Sequence, residues 1–158
     1  MFLTPSSLPE GARAKIVAAL NTCVLDGVDL YTQTKVAHWN VRGPLFAQIH
    51  ELFDKLAGHV SEHVDDLAER AVTLGGRATG SARAVAHGSR LEEISHEVRR
   101  DLELTRLIAE RTESFLHGLR AAREVAETEK DADTEDLLTG TIRGLEKDVW
   151  MLRATLDS

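Results

Sequence analysis

The chain has 158 residues, 42% of them hydrophobic, with three prolines, one cysteine and a formal net charge of −7. That length suits one domain with a substantial core, the acidic balance opposes nonspecific attraction to nucleic acid or anionic membrane, and a lone cysteine excludes an intrachain disulfide. Neither a signal segment nor a long apolar run is present, so the expected setting is the cytoplasm, with no membrane partner.

Residues 1–9, MFLTPSSLP, carry two prolines and no lysine or arginine, and read as a short, loosely packed N-terminal arm. From about Glu10 to Val41, residues Ile16, Leu20, Cys23, Val24, Gly27, Tyr31, Thr34 and His38 recur at spacings of three and four, which predicts a first helix with Cys23 packed among its apolar positions. Gly43 and Pro44 break it, and a second helix runs from about Leu45 to Thr73, antiparallel to the first and roughly 43 Å long. Residues 75–90 are small and glycine-rich, with a helical turn expected over Ala82–His87. They read as a crossover returning along a bundle, or as a flexible linker, although no second domain-sized block follows. A third helix is expected from about Leu91 to Thr128, through Leu91, Ile94, Val98, Leu102, Ile108, Phe115, Leu119 and Ala122, its first turns belonging either to the helix or to the crossover. Asp133 is placed as the cap of a fourth helix whose stripe is Leu138, Ile142, Leu145, Val149, Leu152 and Leu156. The predicted fold class is all-α: a four-helix bundle with one long crossover between its second and third helices.

The second helix carries two faces. With His50 at zero on a helical wheel, Asp54, Asp65 and Glu69 fall at about 40°, 60° and 100°. The apolar residues Ile49, Phe53, Leu56, Val60, Val64, Leu67 and Leu74 form a neighbouring strip. A solvated helix flank would look similar. Along the axis, however, Asp54 and Asp65 are separated by roughly 16 Å, too far for one ion. His50 with Asp54 and Asp65 with Glu69 are each i, i+4 pairs, so a single centre using all four needs a second copy of the chain about a two-fold axis. His59 and His63 form a further i, i+4 pair on the opposite side, read as surface histidines open to adventitious metal. A Glu-x-x-His spacing occurs once, at Glu93 and His96, without the second copy that a centre inside one bundle requires.

Several motifs resemble the Dps family, the miniferritins, in order and spacing: KVAHWNVRG at 35–43, Phe46 to His50-Glu51 with Asp54, DDLAER at 65–70 and LGG at 74–76, with a weaker match through the Asp-rich turn near Asp131 to Trp150. The resemblance spans roughly residues 16 to 157. It implies a single ferritin-like domain over 1–158. It also implies that His38, His50 and Asp54 of one subunit join Asp65 and Glu69 of its two-fold partner to bind iron. Zinc fits the same donors as a substitute. The implied activity is ferroxidase: oxidation of ferrous iron, with hydrogen peroxide preferred over oxygen, and storage of ferric mineral inside a homo-oligomeric shell of twelve subunits, protecting the cell from oxidative damage.

By the same resemblance Trp39 serves as an electron donor, helix packing being its other role, and Lys35 pairs with a site carboxylate. Glu51 and Glu62 would nucleate mineral, solvation being their other reading, and Asp131, Asp133 and Asp136 would line an iron-entry pore, helix capping accounting for at least one of them. The alternative function is a DNA-binding and compacting structural protein, associated with the nucleoid. DNA binding is doubtful for this chain, because neither the arm nor the end at 154–158 is basic. A helical interaction module without chemistry is the remaining class.

Overall fold

A computed structural model describes residues 1–157 as five helices: α1 (Glu10–Asn40), α2 (Phe46–Thr73), α3 (Ala82–Gly88), α4 (Asp101–Thr128) and α5 (Ala132–Leu156). Ser158, the last of the non-basic C-terminal residues, lies outside the described residues. No strand occurs among those described; an isolated backbone pairing of Arg42 with Arg100 is the only β-type contact. The four long helices form a bundle in which α1 packs on α2 and α4, and α5 on α4 and α2. Ile16, Leu20 and Leu30 of α1, Phe53 and Leu67 of α2, Phe115 and Leu119 of α4, and Leu138 and Leu145 of α5 are fully enclosed. Their helical spacing is what draws the four faces inward. Gly27 lets α1 approach closely, since a Cβ there would stand 2.4 Å from Val64 Cγ2. Cys23 is buried in this core, which pushes its thiol up to about 12 and leaves it a packing residue.

The crossover follows α1 from one end of the bundle to the other. Asn21 holds the backbone of Arg77 and Thr79, Asp26 receives the backbone and guanidinium of Arg90, Asp29 accepts from Ser89, and Gln33 accepts from the Ile94 amide. The anchors on α1 advance from 21 to 33 as their partners advance from 77 to 94, with only 89 and 90 interchanged. The short helix expected in this connection is present as α3, with Ser81 capping it through the Ala84 amide.

One open alternative is settled and two expectations need correction. The third long helix starts at Asp101, and 91–100 belong to the crossover. A helix begun at Leu91 would overhang α2 by about ten residues, roughly 15 Å, while the crossover needs extended chain to span the bundle. The three- and four-residue spacing of Leu91, Ile94 and Val98 reflects packing on the core without helix. The cap of α5 is Asp131, not Asp133: its carboxylate accepts from the Thr134 amide and hydroxyl.

The N-terminal arm is tied down. The Phe2 amide donates to Gly75 O at 2.7 Å and Thr4 Oγ1 to Thr73 O at 2.6 Å, while Arg13 donates to Leu74 O. The arm satisfies carbonyls that the end of α2 leaves unpaired.

Asp131 also binds Arg70 through two hydrogen bonds of 2.8 and 3.1 Å to Nη2, and Arg70 Nε donates to Thr134 Oγ1. This buried network pins the end of α2 to the start of α5, so the Asp131 carboxylate is committed to structure. Asp133 and Asp136 remain exposed. Asp131→Ala strands the Arg70 guanidinium and removes the cap, and is expected to destabilise the fold by about 3–5 kcal/mol. Urea unfolding at fixed protein concentration checks this, with Asp133→Ala expected to have less than about 1 kcal/mol of effect.

Candidate metal centre

The turn at 41–45 brings the end of α1 against the start of α2. Gly43 lies over the Asp101 carboxylate, where a Cβ would overlap it at 2.1 Å. Asp101 Oδ2 in turn accepts the Leu45 amide at 2.9 Å, and the Arg42 amide donates to Arg99 O. Hydrogen bonds from the Leu45 and Leu102 amides hold the Asp101 carboxyl below the usual carboxylate range, that of Leu45 contributing most. Asp101 therefore fastens the first turn of α2 in place. The sequence reading missed it; an aspartate at a helix start carries no signal of a partner 56 residues away.

Within this frame His38 and His50 interlock. His38 Nδ1 lies 2.8 Å from His50 O, His50 Nδ1 lies 2.9 Å from His38 O, and the rings stack with centroids 3.7 Å apart. A carbonyl oxygen only accepts, so each Nδ1 carries the proton and each Nε2 keeps its lone pair. His38 O is available because α1 ends two residues later and the Arg42 amide goes to Arg99 O. Phe46 backs the His50 ring at 5.2 Å.

Asp54 sits one turn beyond His50, its Oδ1 4.0 Å from His38 Nε2. Lys35 Nζ reaches the same oxygen at 2.7 Å. Its hydrogen bond and charge hold Asp54 below the usual carboxylate range. His38 Nε2, the stacked His50 ring and the Asp54 carboxylate thus lie close together, donor types suited to a first-row divalent ion.

Asp65 and Glu69 lie on the same α2 strip but do not join this group. Both are exposed and make no side-chain hydrogen bond or ion pair among the described residues. No three His, Cys, Asp or Glu side chains among the described residues of one chain are arranged to hold an ion. Trp39, beside His38, is 64% exposed, and Phe46 and Val36 are exposed near it. Aromatic and aliphatic surface surrounding a half-built donor set is the composition of a contact face.

A family model for the ferritin-like domain matches residues 17–158. The DNA protection during starvation protein of Agrobacterium fabrum is 33% identical over 151 residues, covering 96% of this chain and 93% of that one. The chain belongs to the Dps family of ferritin-like proteins. A second DNA protection during starvation protein, from Bacillus anthracis, is 32% identical over 90% of this chain and 97% of its own. Among solved Dps structures, DpsC from Streptomyces coelicolor superposes with a TM-score of 0.92 at 31% identity, covering 98% of this chain and 90% of that one. The Vibrio cholerae Dps, described as a member of a broad superfamily of ferritin-like diiron-carboxylate proteins, gives 0.91 at 28% identity over 99% and 98%. Both neighbours share the fold derived above.

Replacing Lys35 by Met removes the largest cause holding Asp54 down, so the Asp54 pKa is expected to rise toward the ordinary carboxylate value. A carbon-13 titration of aspartate-labelled protein reads this directly. The sign follows from the depressed folded value: the Lys35–Asp54 pair favours the fold above the unfolded Asp pKa and fades as pH falls through the folded one. In the variant, that acid-side dependence should weaken.

Proposed function

We propose that this Dps protein is a ferroxidase and iron store: it oxidises ferrous iron at a site shared between two subunits and keeps the ferric product as mineral within an oligomeric shell. The observation that carries the proposal is the reciprocal His38–His50 hydrogen bonding. It commits both Nδ1 atoms to backbone carbonyls and leaves His38 Nε2 4.0 Å from Asp54 Oδ1, while Asp65 and Glu69 stand unpartnered further along the same strip. A two-fold copy supplies the missing carboxylates to each half-site, giving two equivalent centres per dimer.

Ferrous iron is the substrate. His38, His50 and Asp54 hold it with neutral nitrogens and one charge, and the second copy's Asp65 and Glu69 supply the anionic oxygens that favour the ferric product. With hydrogen peroxide as the preferred oxidant, each molecule takes one electron from each of two ferrous ions and, with two protons, leaves as two waters. Oxygen serves when peroxide is absent. Zinc competes for the same donors. Trp39, adjoining His38 and exposed, is placed to give up an electron when only one ferrous ion is present. A shell of twelve subunits, and a cytoplasmic setting, belong to the same proposal; no helix of the described residues is long and apolar enough to cross a membrane.

The printed names of the relatives speak of DNA protection. For this chain we place that protection in iron and peroxide removal. The terminal arm, lacking lysine and arginine, has its backbone bonded to the end of α2, an arrangement that supports weak or absent contact with phosphates.

Two variants test the sharing: His38→Ala/His50→Ala/Asp54→Ala and Asp65→Ala/Glu69→Ala. Each homogeneous oligomer is expected to oxidise ferrous iron at least about tenfold more slowly, the scale on which even indirect partners of metal ligands act. In a coexpressed dimer with one chain of each variant, one site collects both defects and the other is intact. Stopped-flow oxidation in verified mixed oligomers should recover about half the wild-type sites. No recovery, with wild-type controls active, contradicts sharing.

A further inference from the structure

We propose that His59, His63 and Asp148 form a second binding site, for a divalent transition-metal cation, in the groove between α2 and α5. The site lies on the side of α2 away from the His50–Asp54 strip, at about 180° and 220° on the wheel that puts His50 at zero. It uses none of the residues assigned above and does not depend on that assignment.

The groove is built from two facing i, i+4 pairs. On α2, His59 and His63 project from successive turns; on α5, Gly144 and Asp148 do the same. His59 Nδ1 lies 3.0 and 3.1 Å from the two Asp148 carboxylate oxygens. The glycine makes room for the other imidazole: His63 Nε2 occupies the space over Gly144, 3.0 Å from where a Cβ would stand. His63 is thereby held one turn, roughly 5.4 Å, along α5 from Asp148.

In the ion-free chain the three side chains do not converge on one point. The hydrogen bond between His59 and Asp148 stands where an ion would enter, and its length is close to the spacing of neighbouring ligands whose bonds to a metal are about 2 Å. Binding would require the His63 ring to turn about its side-chain torsions from its place over Gly144 toward the same point.

Charge favours an ion there. The Asp148 side chain is 9% exposed, and its one hydrogen-bond partner is an imidazole, not a fixed cation. Burial lifts its pKa, the His59 contact only partly opposing this. Buried carboxylates are ordinarily paired or bound to metal, and a divalent ion bonded to Asp148 would supply a fixed positive charge there. Glu62 and Asp66 on α2 add negative field, opposed by Lys147 beside Asp148. The His59 side chain is 53% exposed, which leaves an open approach from solvent. Two imidazoles and a carboxylate with water in the remaining positions suit zinc, cobalt or ferrous iron, and not magnesium or calcium.

The test uses cobalt in the Asp54→Ala/Glu69→Ala background, where the shared centre is disabled. The assembled protein, its size and helicity checked, should bind one Co²⁺ per chain with visible d–d absorption. Adding His59→Gln/His63→Gln should weaken that binding at least tenfold. Equal affinity with and without the two histidines overturns the proposal, as does the absence of cobalt binding in the background protein. Wild-type crystals soaked in Zn²⁺ give a variant-free check. An anomalous peak bonded to His59, His63 and Asp148 is expected, and a bare His59–Asp148 hydrogen bond at full zinc occupancy elsewhere refutes it. Failure of the ferroxidase reading would leave these outcomes unchanged.

Discussion

Two hydrogen bonds that cross the α1–α2 turn, His38 to the His50 carbonyl and His50 to the His38 carbonyl, set the chemistry available to this bundle. They depend on a helix ending where it does. Had α1 continued, the His38 carbonyl would accept the Arg42 amide; instead that amide pairs with Arg99, and the carbonyl is left for an imidazole. The Arg42–Arg99 bond and the Asp101 hold on Leu45 come from residues far along the chain, so the crossover's arrival at this end of the bundle is part of the site's construction. A side-chain ladder of Asn21, Asp26, Asp29 and Gln33 guides the crossover there.

The opposite end of the bundle is fastened by different means. Arg70, Asp131 and Thr134 join α2 to α5 under cover, and the N-terminal arm closes the carbonyls at the end of α2. Between these ends, α2 is held straight enough that Asp54 and Asp65 share a strip while remaining about 16 Å apart. A bundle that satisfies its own polar groups so fully leaves Asp65, Glu69 and Trp39 conspicuous as groups facing outward. Under the shared-site proposal their partner is a second copy of the chain.

Four amphipathic stripes, the Gly43–Pro44 break and the glycine-rich run at 75–90 were enough to read the bundle and its crossover, because helical periodicity is a local property. The i, i+4 pairs of α2 and their axial separation were legible for the same reason. Selection of iron, and of His38 as a member of the set, came from the motif resemblance. What escaped was non-local. Leu91, Ile94 and Val98 kept a helical spacing in an irregular segment because they follow the core, and Asp133 was placed as the cap because nothing local shows that Arg70 engages Asp131. His59 and His63 looked like surface residues because Gly144 and Asp148, which receive them, lie some eighty positions away.

Iron-edge anomalous diffraction from crystals loaded anaerobically with ferrous iron tests the central claim most directly, since it locates the substrate without relying on rates. The account predicts density bonded to His38 Nε2, His50 Nε2 and Asp54 of one subunit and to Asp65 and Glu69 of another. Iron held entirely by residues of a single subunit would contradict it.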